Sequence, residues 1–136
     1  MRTTIVALLA GFALGAALPV FAHHSFSAEY DQNQPITLKG TVTKLEWMNP
    51  HVYNYIDVKD QKGNVKSWAI EAGAPNGLYR AGWRKDSLKV GDVVTVEGYR
   101  AKDSGDHVNG RSVTLADGRR VFAGAADDGG PNSQYR

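Results

Sequence analysis

The chain contains no cysteine. That absence excludes disulfide bonds, thiolate metal sites and a cysteine nucleophile. An excess of charge of one sign is missing too. Lys and Arg number 16 against 14 Asp and Glu, for a formal net charge of +2. Nucleic-acid binders usually carry a pronounced basic excess to neutralise phosphates, so nucleic acid is not expected as a partner. No HxH, HxxxH or HExxH pair occurs, and no internal repeat is visible. A Gly-rich phosphate loop is also lacking, because "GDHVNG" has neither the preceding strand nor the following helix that such a loop requires. No acid near the His24-Ser25 pair is placed to orient the ring, and adjacency is not a triad. No catalytic residue is assigned, and enzymatic activity is not expected.

What is present begins with an apolar leader. Arg2 is the only charge before Glu29, and Ile5 to Leu18 is almost entirely apolar. Pro19 then breaks any helix. Val20 and Ala22 stand at the two positions a signal peptidase inspects. The pattern predicts a cleaved secretory signal peptide over residues 1–22. The competing reading is an uncleaved anchor, but the run is barely long enough to span a bilayer and no basic stop-transfer cluster follows. A mature chain starting at His23 is expected in the periplasm, with full secretion as the alternative. No stable membrane insertion is expected after cleavage.

The rest reads as β-rich and long enough for one domain, over residues 23–122. In "ITLKGTVTKLEW", residues 36–47, Ile36, Leu38 and Val42 share one parity, whereas Leu45 and Trp47 share the other. That switch predicts a bulge or bend, with Gly40 nearby. A second strand follows "NPH", with Val52, Ile56 and Val58 on one face and Tyr53 and Tyr55 on the other. "DQKGN" is a turn. "VKSWAIEA" is a third strand with Trp68 and Ile70 facing the core. Pro75 and Gly82 bracket a short helix. "VVTVEGYRA" is a fourth strand, "KDSGDHVNG" a polar loop, and "RSVTL-ADG-RRVF" a hairpin turning at Asp117-Gly118. Residues 123–136 lack apolar groups and are expected to form a loose tail. This order predicts an all-β fold: a small five-stranded OB-fold-like barrel with one short helix between strands three and four. An open sandwich is the alternative.

Several stretches also resemble a known family. They are "AHHSFSAEYD", "GTVTKLEWMNPH", the "W-I-E" of strand three followed by "PN-L-R-GW", "DSLKVGD-V-VEGYRAKD", and "RSVTLADGR-VFAG". Together they resemble a family of small exported bacterial proteins classed as a domain of unknown function. The resemblance spans nearly all of the mature chain and comes with no established activity. It implies export and a small β-barrel, and it draws attention to His23, His24 and His51. The "VYNY" after His51 departs from the more aromatic-aliphatic run expected there.

Two binding chemistries suit these residues. In a cleaved chain the free amine of His23 and its ring nitrogen can chelate one metal. His24 stands beside it, and a third nitrogen from His51 completes a T-shaped set suited to copper or another transition metal. Met48 is either a soft axial ligand or core. His107, in a polar loop, is a weaker candidate. The plain alternative makes His23 and His24 a solvated tail and His51 a strand-end hydrogen-bonding group. The second chemistry is stacking: Tyr53 and Tyr55, opposite the apolar face of strand two, suit a small ligand such as a sugar, or a peptide or periplasmic protein. Such aromatics also commonly seal a small core. Arg80, Arg84, Lys85 and Lys89 form a basic cluster fit for an anionic head group or an acidic partner, or simply a solvated face. Glu46, Asp57 and Glu71 would act as paired carboxylates only if the fold brought them together.

Overall fold

The computed structural model describes residues 25–124 and 130–131. The expected leader, His23 and His24 lie outside them. The chain runs α1 (Phe26–Glu29), β1 (Tyr30–Glu46), β2 (Tyr53–Lys59), β3 (Val65–Glu71), α2 (Pro75–Arg80), β4 (Val93–Ala101), β5 (His107–Leu115) and β6 (Arg120–Phe122). The sheet order is β3-β2-β1-β4-β5-β6, and a further β3–β5 pairing closes the first five strands into a ring. Every pairing is antiparallel except the closing β3–β5 contact, which is parallel. This is the all-β, barrel-like fold expected, with a short helix between the third and fourth strands.

Strand β1 makes closure possible. Its first half pairs with β4, from Pro35 opposite Tyr99 to Thr41 opposite Val93. Its second half pairs with β2, from Thr41 opposite Asp57 to Glu46 opposite Tyr53. The register slips between Val42 and Lys44, where the apolar parity changes. The extra residue turns Leu45 toward the interior, where it packs on the core. Gly40 sits just before the slip, where the strands coil tightly. A Cβ there would lie 2.6 Å from the Asp57 carbonyl oxygen, a distance no side chain tolerates.

The core fills the ring. Val42, Val52, Ile56, Ile70, Val94, Val96, Val108 and Val113 are buried together, and Trp68 joins them at 7 % exposure. Leu78 of α2 and the following Trp83 pack into the same cluster. Pro75 opens α2 and Arg80 ends it. Gly82, at φ 94°, lies just beyond, a left-handed position that stops a helix without strain. Among the described residues, no helix is long and apolar enough to cross a membrane.

Three boundaries differ from the sequence reading. Strand β1 starts six residues early: Tyr30 pairs with Ala101 of β4 and is buried with Phe26 against Tyr99, and the polar residues 31–34 fall in the irregular register before Pro35. Strand β5 takes in "HVNG", expected as loop. There the parallel ladder to Ala69, Ile70 and Glu71 supplies the pairing, and Val108 fills the core. The packed chain also continues past 122. Ala123 is fully buried, donates its N–H to the Arg111 carbonyl and accepts from the Gly73 N–H.

Candidate functional site

The outer face of the ring carries a cross-strand row of polar side chains. Tyr53 on β2 lies opposite Glu71 on β3. Glu71 lies opposite Asn109 on β5, and Asn109 opposite Tyr99 on β4. Outward positions of a small barrel are normally wet, yet the Glu71 side chain is only 10 % exposed. The segment that runs into β1 covers it. Phe26 and Tyr30 are themselves buried there, at 4 % and 5 % exposure. The Phe26 ring stacks on Tyr30 at 5.9 Å and meets Tyr99 edge-on at 5.5 Å, with the Arg111 guanidinium 5.0 Å above it.

A buried carboxylate needs hydrogen-bond donors, and Glu71 has three. The Tyr30 hydroxyl donates to Oε2 at 2.7 Å, and the Tyr53 hydroxyl to the same oxygen at 3.0 Å. His51 Nδ1 lies 3.0 Å from Oε1. Burial pushes the Glu71 carboxyl pKa up, but the bonds from His51, Tyr30 and Tyr53 outweigh it and the net shift is down. The phenols move the other way. Burial, and then the Glu71 charge, raise the pKa of Tyr30 and of Tyr53. The result is one carboxylate fixed as an anion, two phenols fixed as donors, and an imidazole facing the anion through Nδ1. A neutral ring that donates Nδ1–H carries its lone pair on Nε2. That is how carboxylates behind a metal centre orient its histidine ligands.

The candidate residues divide between two clusters. His51 and Tyr53 meet through Glu71. Tyr55 stacks on Tyr53, ring centroids 6.5 Å apart, but its hydroxyl donates to Glu46 at 2.8 Å and Lys44 reaches over its ring. Tyr53 and Tyr55 are half-buried rather than freely exposed. Glu46 and Glu71 therefore serve different clusters. His107 is exposed at the start of β5. Met48 is 51 % exposed and so is not core. Among the described residues, no group of three or more His, Asp or Glu side chains is placed to hold a metal. His23 and His24, the other histidines considered for a metal at His51, lie outside the described residues. Sequence reasoning gave Phe26 and Tyr30 no role, although both lie in the "AHHSFSAEYD" stretch that carries the family resemblance.

A comparison with curated proteins finds no match. Residues 12–110 match the model of a family of unknown function, DUF6152, and the chain belongs to that family.

Proposed function

We propose that the chain is an exported binding module that holds a transition metal, copper by its ligand chemistry, at an amino end created by cleavage after Ala22. The observation that carries this reading is the contact of His51 Nδ1 with Glu71 Oε1 at 3.0 Å. A neutral ring held this way donates Nδ1–H to the carboxylate and keeps Nε2 for a metal. The same carboxylate binds Tyr30, so the segment just after the paired histidines is anchored beside His51. From His23 to Phe26 the chain reaches at most about 11 Å when extended. The remaining donors come from His23, its amine and ring, with His24 adjacent. Before cleavage the His23 nitrogen is an amide and a poor donor. Afterwards it is an amine with a pKa of about 8, which a metal can deprotonate and bind. In this reading the barrel's own residues orient His51 and screen Glu71 from water, and the metal supplies Lewis-acid or redox chemistry when bound.

The test is Cu(II) calorimetry on protein that starts at His23. His51→Ala is expected to weaken binding at least tenfold, and His107→Ala to leave it unchanged. Equal effects from the two substitutions would remove the barrel from the site. A second reading, a metal-free module for a small ligand or protein partner, draws on the stacked Tyr53 and Tyr55 rings. Their hydroxyls are already committed to Glu71 and Glu46, so only the ring faces remain for a ligand. Copper binding unchanged in every variant, together with sugar or peptide shifts at Tyr53 and Tyr55, would favour it.

A further inference from the structure

One surface feature lies apart from the Glu71 hydrogen-bond cluster. Trp47, just past the end of β1, packs one side on the core, is half-buried, and meets Tyr79 of α2 edge-on, with ring centroids 5.4 Å apart. Tyr79 is 40 % exposed and Met48, next to Trp47, is 51 % exposed. The Arg84 guanidinium lies 5.2 Å above the Tyr79 ring. Its Nη1 donates to the carbonyls of Tyr79 at 3.1 Å and Trp83 at 2.6 Å. Arg84 is therefore a cation held in place over an aromatic face, not a waving surface charge. Arg80 and Lys85, both exposed, flank it in the chain, and Asp86 is the one acid between residues 79 and 89.

We propose that this ledge of Trp47, Met48 and Tyr79, rimmed by Arg80, Arg84 and Lys85, seats the folded domain on an anionic lipid bilayer. The chemistry matches a membrane interface on both counts. Amphipathic aromatic rings settle at head-group depth, and clustered Lys and Arg are drawn to acidic lipid. Apolar content selects the bilayer over an acidic peptide. An acidic peptide would engage the basic side chains but would leave the exposed Met48 and Tyr79 without an apolar partner. The ledge lies on a corner made of a strand end, a short helix and a loop. A fluid surface moulds itself to such a corner. The contact is peripheral, with a few side chains at head-group depth.

The experiment is co-sedimentation of the mature chain with vesicles of equal parts phosphatidylglycerol and phosphatidylcholine, compared with phosphatidylcholine alone. Binding is expected to the acidic vesicles only, and to fall as salt rises. Arg80→Gln and Lys85→Gln should each lower the partition coefficient about fivefold, the weight of one basic residue at such a surface. Lys39→Gln, on a different part of the barrel, should not. Brominated lipid should quench tryptophan emission through Trp47, because Trp68 and Trp83 are only 7 % and 1 % exposed. Trp47→Phe should abolish the quenching. Equal binding to neutral vesicles, no loss in the Arg80 and Lys85 variants, or retention on polyglutamate without vesicle binding would each overturn the proposal, the last in favour of an acidic protein partner.

Discussion

Replacing Tyr30 by Phe removes one hydroxyl and leaves the ring in place. The ring still stacks on Phe26, so no cavity forms and the loss isolates the hydrogen bond. The acceptor is the Glu71 carboxylate at 2.7 Å. With Tyr30 at 5 % exposure and the Glu71 side chain at 10 %, water cannot step in for the missing donor. A bond to a charged group in such surroundings contributes about 1.5–3 kcal/mol, and a cost of about 2 kcal/mol is expected. Tyr53→Phe should cost about 1 kcal/mol, because its bond is longer, 3.0 Å, and its ring is half-buried. Both phenols serve the same oxygen, so in either single variant the surviving one can tighten. The double variant should then lose more than the sum by about 0.5 kcal/mol or more. Urea titration at neutral pH reads these losses as midpoint shifts at constant slope. A Tyr30→Phe change inside about 0.5 kcal/mol, the range of ordinary surface substitutions, would refute the argument that the amino-terminal segment is held down through Glu71.

Three further outcomes follow from the same structure. Tyr30 and Tyr53 have folded-state pKa values raised above the ordinary 10.0, so their contribution to stability is full below pH 10 and is lost as pH rises above it. Stability should fall by up to about 2.7 kcal/mol per pH unit from these two groups, and the Tyr30→Phe, Tyr53→Phe double variant should show a shallower alkaline loss. Gly40→Ala forces a Cβ against the Asp57 carbonyl and should cost about 1–3 kcal/mol by urea titration; a neutral result would mean that β1 and β2 are less tightly coiled there. Trp68→Ala should cost about 3–5 kcal/mol, and a loss within noise would place Trp68 outside the core.

The barrel is legible in the sequence because its signals lie in the side chains. The parity switch between Val42 and Leu45 locates the bulge, and the bulge is what lets one strand serve both neighbours. Pro75 and Gly82 bracket α2. Side-chain pattern does not reach stretches that read as mostly polar: the opening of β1, where only Tyr30 is buried, and the "HVNG" start of β5, where Val108 faces the core. The site is legible only in part. His51 stands out by residue type, and Tyr53 and Tyr55 by facing away from the apolar side of β2. The burial of Glu71 is not legible, because it sits at an outward position covered in part by a segment more than 40 residues away in sequence. Pattern reading along a strand has no access to such a lid.

The central claim is that the paired histidines stand beside the cut because cleavage completes a copper site. Calorimetry with Cu(II) on two forms tests it most directly: protein starting at His23, and protein carrying one extra residue ahead of His23. Both keep every imidazole and the whole barrel, and they differ only in whether the His23 nitrogen is an amine or an amide. The native end is expected to bind one Cu(II), and the extended end to bind as weakly as His23→Ala. Equal affinity in the two forms would contradict the account.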